Sequence, residues 1–168
     1  LRVDYDGPPK DYFFVLLPKL TLLAFTSAIE PLRVANQVAG KALYRWFIMT
    51  EGGVGVTCSC GVHITPDSDL CALPTKAQVF VCAGIEPNST TSATLTRWLA
   101  RQAAHGAHPG GICTGAFALA KAGLLSNRRF TLHWENQPAF RETYPGLEPT
   151  GHLYEIDGSL LTCGGGSA

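Results

Sequence analysis

The sequence predicts an α/β fold, a mostly parallel central sheet covered by helices on both sides, and three observations carry that expectation. Short runs dense in aromatic and branched apolar residues, such as "YFFVLLP" (12–18) and "AQVFVCAG" (77–84), read as strands buried on both faces. Segments with apolar residues at helical spacing separate such runs. Strand and helix then alternate along most of the chain, the pattern of a parallel sheet.

The first strand leads into "TLLAFTSAIEPLRVANQVAG" (21–40), where Leu22, Leu23, Phe25, Ile29, Leu32, Val34 and Val38 recur at mainly helical spacing up to Gly40. Pro31 is expected to kink or restart this helix, because its ring removes an amide donor. "YRWFIMT" (44–50) reads as a second strand, and "VGVTCSCGVHIT" (54–65) as a hairpin insertion turning near Ser59 to Gly61. After the strand at 77–84 comes an amphipathic helix, "SATLTRWLARQAAHG" (92–106), then a very short strand through "GGIC" and a helix "TGAFALAKAGLL". A strand around "RRFTLH", a helix "WENQPAFRETYP" stopped by Pro145, and closing strands "LYEID" and "SLLTC" complete the reading. "CGGGSA" leaves the last strand through a glycine-rich turn, where an alternating fold begins another helix. Residues 1–168 are therefore expected to be a single domain cut before its last helix.

Composition narrows the function. The 168 residues suffice for one buried core, since a chain of about 150 residues loses roughly 68–70% of its surface on folding. Thirteen basic and thirteen acidic residues balance, and no cationic cluster is longer than Arg128-Arg129. The phosphate-neutralising footprint of a nucleic-acid binder is missing. With no apolar run of the roughly 20 residues that span a bilayer, no membrane partner is expected. Six cysteines without a signal peptide point to reduced thiols in a cytoplasm. "CSC" (58–60) supplies two ligands with no second pair at zinc-site spacing, so no metal or other cofactor is expected, and these cysteines read as small hydrophobes beside the hairpin.

The chemistry gathers at Gly111-Ile112-Cys113-Thr114-Gly115, a Gly-x-Cys-x-Gly elbow between a predicted strand and a predicted helix. A tight reversal strains its central residue and leaves no room for side chains beside it, so the thiol is presented at the carboxyl edge of the sheet, where parallel sheets place ligands. The start of a helix favours the thiolate. Its dipole supplies only about 0.3–1 kcal/mol, less than the about 1.36 kcal/mol that moves a pKa by one, so activation calls for a partner. The amides of Thr114 and Gly84 are candidate oxyanion donors.

Taken together, "FFVLLPKLTLLAFTSAIEPLRVANQ", "GGICTGAFALAKAGLLSNRRFTLHW" and "LLTCGGGSA" resemble, in order and spacing, the amino-terminal domain of GlxA-type AraC-family transcriptional regulators. That domain belongs to the ThiJ/PfpI, or class I glutamine amidotransferase-like, superfamily. The resemblance implies a flavodoxin-like three-layer αβα sandwich that forms a homodimer. It also implies DNA contact only through a carboxy-terminal pair of helix-turn-helix units absent from this chain. It places Cys113 on the superfamily's reactive cysteine, Thr114 and Gly84 on its oxyanion amides, and His133 where several members hold a histidine near that cysteine.

Two departures matter. Thr114 follows the cysteine where the protease-like branch has a histidine, and the start of the first helix, "LLAFTS", lacks the glutamate of redox-sensing members. Glu30 lies further along and reads as a surface ion pair with Arg33. The expectation is an effector-sensing and dimerising domain that binds a small amine or amino-acid-like metabolite near Cys113, Thr114, Gly84, His133 and Trp134, without catalysis. Trp134 enters because relatives of this group respond to quaternary amines, which aromatic faces bind. The alternative is a cysteine-dependent hydrolase or isonitrile hydratase-like enzyme, and a third reading is a redox sensor using Cys113 alone. Trp46 and Trp98 read as core or interface and Cys163 as buried, whereas His63, His105, His108 and His152 have no pairing spacing.

Overall fold

Apolar side chains on alternate strand positions need cover on both faces of a sheet, and that requirement organises the chain. The computed structural model describes Tyr5 and residues 7–166; the expectations about how the chain starts, and about Ser167 and Ala168, lie outside them. In chain order the elements are β1 (Lys10–Leu16), α1 (Leu22–Ala39), β2 (Tyr44–Thr50), β3 (Val56–Thr57), β4 (His63–Ile64), β5 (Ser68–Asp69) and β6 (Gln78–Cys82). There follow α2 (Pro87–Thr90), α3 (Ala93–Ala104), β7 (His108–Ile112), α4 (Ala116–Lys121), α5 (Gln137–Thr143), β8 (Tyr154–Asp157) and β9 (Leu160–Cys163).

Seven strands form one sheet in the order β5-β2-β1-β6-β7-β9-β8. Every pairing is parallel except that of the edge strand β8 with β9. One face carries Phe13, Val15, Val79, Val81 and Leu160 against α3, α4 and α5. The other carries Phe14, Leu16, Phe80, Cys82 and Ile112, and α1 is the one helix that contributes to it among the described residues. This is the flavodoxin-like three-layer arrangement.

The hairpin forms as a separate two-stranded sheet of β3 and β4, turning through Gly61 at φ +86°. α1 runs unbroken through Pro31, which sits on its exposed side, where water can satisfy the carbonyl that the proline leaves unpaired. The chain around "RRFTLH" is not a strand. Its backbone amides bond outside a ladder: Arg129 N–H donates to the Asp157 carboxylate at 2.8 Å and Thr131 N–H to Thr162 Oγ1 at 2.9 Å. The expected helix at 114–125 shrinks to the six residues of α4, with Gly123 at φ +74° just beyond its end. That expected from Trp134 to Pro145 divides into a 3-10 turn, Trp134–Asn136, and α5. β5 and α2 are additional short elements.

From β1 the chain steps out to β2 and returns on the other side as β6. The crevice at the carboxyl ends of such strands is the ligand position of open α/β sheets.

Candidate functional site around Cys113

Gly111 and Gly115 are required by close approach: a Cβ on Gly115 would stand 2.1 Å from the Val81 carbonyl oxygen, and one on Gly111 2.9 Å from the Ala116 nitrogen. The positive φ falls on Cys113 itself, at +60°. A non-glycine residue held there stores strain of order 1–3 kcal/mol, and its neighbours fix it. Cys113 N–H donates to the Cys163 carbonyl at 3.1 Å, and its own carbonyl accepts from His133 N–H at 3.1 Å. The second bond explains how the irregular segment before His133 reaches the site.

Cys113, Thr114, Gly84 and His133 line one cavity of about 290 Å³, together with Thr21, Ile85, Glu86, Glu135 and Asn136. Trp134 is not on that lining; it stands on the surface, 72% exposed, stacked on His133 with ring centroids 6.1 Å apart. Glu30 pairs with Arg33 at 2.7 Å on exposed surface, away from the cavity. Trp98 is core, its indole N–H donating to the Cys71 carbonyl at 2.9 Å, and Trp46 packs half-buried against the second face. Cys163 is only partly buried, so the expectation of a buried cysteine is corrected: its cross-strand partner on the edge strand, Tyr154, is itself 60% exposed.

The sulfur's side-chain partner is Thr21, with Oγ1 3.6 Å from Cys113 Sγ. Thr21 is the N-cap residue of α1, yet its hydroxyl makes no cap bond to the helix; it is turned toward the thiol instead. Gly84 holds it there, since a Cβ on Gly84 would lie 2.7 Å from Thr21 N and 2.4 Å from the Lys19 carbonyl. Sequence reasoning examined the first helix for an acid and passed over the threonine at its threshold.

Burial pushes the Cys113 thiol up, and the Thr21 hydroxyl and Thr114 amide reverse only part of that, while nearby Cys163 adds to the rise. Thr114 turns its own hydroxyl away to the Gly84 carbonyl, at 2.7 Å. His133 Nδ1 is buried without a hydrogen-bond partner and lies 3.9 Å from the Glu135 carboxylate. Glu86 is engaged by Lys19 at 2.8 Å, which holds its carboxyl below the usual range. The cavity thus joins a protonated thiol, polar walls and two exposed carboxylates, Glu86 paired with Lys19 and Glu135. Binding and orienting a small polar molecule is within its chemistry, and a base bonded to the nucleophile, which thiol catalysis needs, is not among the sulfur's hydrogen-bond partners. Among the described residues no group of three or more His, Cys, Asp or Glu side chains is placed to hold a metal ion, and no helix is long and apolar enough to cross a membrane.

The chain is 44% identical over 159 residues to the HTH-type transcriptional regulator CdhR of Pseudomonas aeruginosa, covering 95% of this chain and 47% of the relative. It is 44% identical over 162 residues to the HTH-type transcriptional regulator GlxA of Rhizobium meliloti, covering 92% and 48%. The chain spans about half the length of the curated relatives it matches. The crystal structure of an AraC family transcriptional regulator from Pseudomonas putida superposes with a TM-score of 0.80 at 26% identity, covering 92% of this chain and 83% of that one. The DJ-1/PfpI family model matches residues 25–168, and the chain therefore belongs to the DJ-1/PfpI family.

Proposed function

We propose that this chain is the effector-sensing and dimerising domain of a cytoplasmic AraC-family transcriptional regulator, and that it binds a small amine or amino-acid-like metabolite beside Cys113 without turning it over. The observation that carries the reading is the neighbour of the sulfur: a threonine hydroxyl in place of a base. Glu135 on the cavity wall offers a cationic head group its counter-charge, and Trp134, outside the lining but stacked on His133, offers an exposed aromatic face. Occupancy would bias the pairing of two copies, and DNA contact would belong to a carboxy-terminal domain outside this chain.

A thermal-shift panel of quaternary amines and amino acids tests it. A ligand at a hundredfold excess over its Kd adds about 2.7 kcal/mol, and a domain of this size moves by about 2–4 °C per kcal/mol. At least one compound should therefore raise Tm by several degrees, and Glu135→Gln should remove most of the gain. A panel in which nothing stabilises the chain refutes the proposal. So does turnover of an amide, acyl or isonitrile substrate that Cys113→Ala abolishes.

A further inference from the structure

Three of the six thiols converge on one spot. β6, β7 and β9 end in register, Cys82 opposite Ile112 and Ile112 opposite Cys163, and Cys113 follows directly. All three cysteines join the same apolar cluster on the second face of the sheet. Cys82 is 1% exposed, and burial pushes its thiol well up, so it is a bystander. Cys113 and Cys163 differ from it in access, because Cys113 lines the cavity and Cys163 is partly buried.

Their backbones already touch through the Cys113 N–H to Cys163 carbonyl bond of 3.1 Å. The register sets Cys163 opposite Ile112, so Cys113 is its diagonal neighbour, one residue beyond the end of β7, and disulfides join Cα atoms separated by about 4.4–6.8 Å. The turn after Cys163 wraps the other thiol: a Cβ on Gly165 would lie 3.2 Å from Cys113 Sγ. Gly164, Gly165 and Gly166 make that turn, two of them at positive φ. Backbone adjustment there is cheap, because glycine carries no Cβ to clash.

We propose that Cys113 and Cys163 are a dithiol pair that closes to an intramolecular disulfide when a peroxide enters the cavity. The Cys113 thiolate attacks one oxygen of hydrogen peroxide, the O–O bond breaks, and the products are Cys113 sulfenic acid and hydroxide. The Cys163 thiolate then attacks Cys113 Sγ and expels a second hydroxide as the S–S bond forms. The two thiol protons convert both hydroxides to water, so two thiols are oxidised and one peroxide is reduced. This pairing stands independently of the effector reading.

The chain is treated with hydrogen peroxide, alkylated in denaturant and digested with trypsin without reductant. The monomer should lose two of its six free thiols, yield a linked pair of peptides 102–121 and 142–168, and recover both thiols in dithiothreitol. Cys163→Ser should carry Cys113 on to sulfinic acid to a greater extent than the wild-type chain, while Cys82→Ala should keep the link. If Cys163→Ser does not give a wild-type melting curve, the wild-type peptide map decides alone. Three results would overturn the proposal: sulfinic acid at Cys113 with Cys163 still free, a link from Cys163 to Cys82, or a link found only in a covalent dimer. Equal sulfinic acid in a well-folded Cys163→Ser and the wild-type chain would overturn it as well.

Discussion

The two faces of the sheet are made by the same strands and do different work. On the face under α3, α4 and α5, Phe117 and Phe140 meet edge to face at 5.0 Å, Phe130 lies 5.4 Å from Phe140, and all three are at most 2% exposed. On the face under α1, the strand ends carry Cys82, Cys113 and Cys163, while Tyr154 and Ile156 of β8 are more than half exposed. Strand alternation sends neighbours to opposite faces: Leu160 is sealed at 2% exposure, and Leu161 beside it is only partly covered. The difference teaches that stability and reactivity are separated by one residue of register. The first face is sealed; the second buries Phe14, Leu16 and Leu20 as fully but opens at one edge onto thiols, a cavity and exposed apolar surface.

The largest expected effect breaks this comparison most directly. Phe140→Ala should cost about 3–5 kcal/mol, the range for deleting a buried aromatic ring, whereas Leu161→Ala should cost about 1 kcal/mol, the centre of ordinary substitutions. Urea unfolding gives both values from the midpoint, provided the slope is unchanged. Equal losses would mean that the second face is packed as firmly as the first.

A smaller effect follows from the thiols. Burial raises Cys58, Cys82 and Cys113, and all three belong to the second face. In the unfolded chain these groups ionise near pH 8.5, while the folded chain keeps their protons. Above about pH 8.5 the folded state therefore holds more protons than the unfolded chain, and stability is lost progressively as pH rises. Tyr12 and Tyr144, also raised by burial, join only above about pH 10. Unfolding curves from pH 7 to 10 should show the decline, and Cys82→Ala should flatten it. A profile flat through pH 9.5 would show that the second-face thiols meet water as freely folded as unfolded.

Legibility divides along similar lines. β1, β6, α1 and α3 were readable because their signals are local: dense apolar runs, helical spacing and glycine stops; β7 was expected only through "GGIC" and in fact begins at His108 and ends at Ile112. The elbow was readable because glycine, cysteine and glycine at fixed spacing specify a turn. The strand expected at "RRFTLH" fails because its amides are satisfied by Asp157 and Thr162 side chains, and the apolar pattern of a strand does not distinguish a ladder from such bonds. Of the cavity walls, Cys113, Thr114, Gly84 and His133 were named from the sequence, while Thr21, Ile85, Glu86, Glu135 and Asn136 were not. Thr21 lies 92 residues from the sulfur it meets. Only the closing of β1 beside β6 and β7 brings them together, and no local pattern records it.

Thr21 offers the smallest and most selective test. Thr21→Val keeps the shape of the side chain and removes the hydroxyl that faces Cys113 Sγ. Since that hydroxyl does not cap α1, the expected loss of stability is limited to one hydrogen bond, about 0.5–1.5 kcal/mol. The chemical effect is specific: the thiolate loses one of its two donors and keeps the Thr114 amide. Its titration should move further up and its alkylation by iodoacetamide at fixed pH should slow. Thr21→Ser, which restores the hydroxyl, should return both toward the wild-type values. If Thr21 acted instead as an ordinary helix cap, Thr21→Val would cost about 1 kcal/mol and leave the alkylation rate unchanged. The rate therefore separates the two roles where stability cannot, and it decides whether the exit of the first strand sets the reactivity of a thiol held at the end of another.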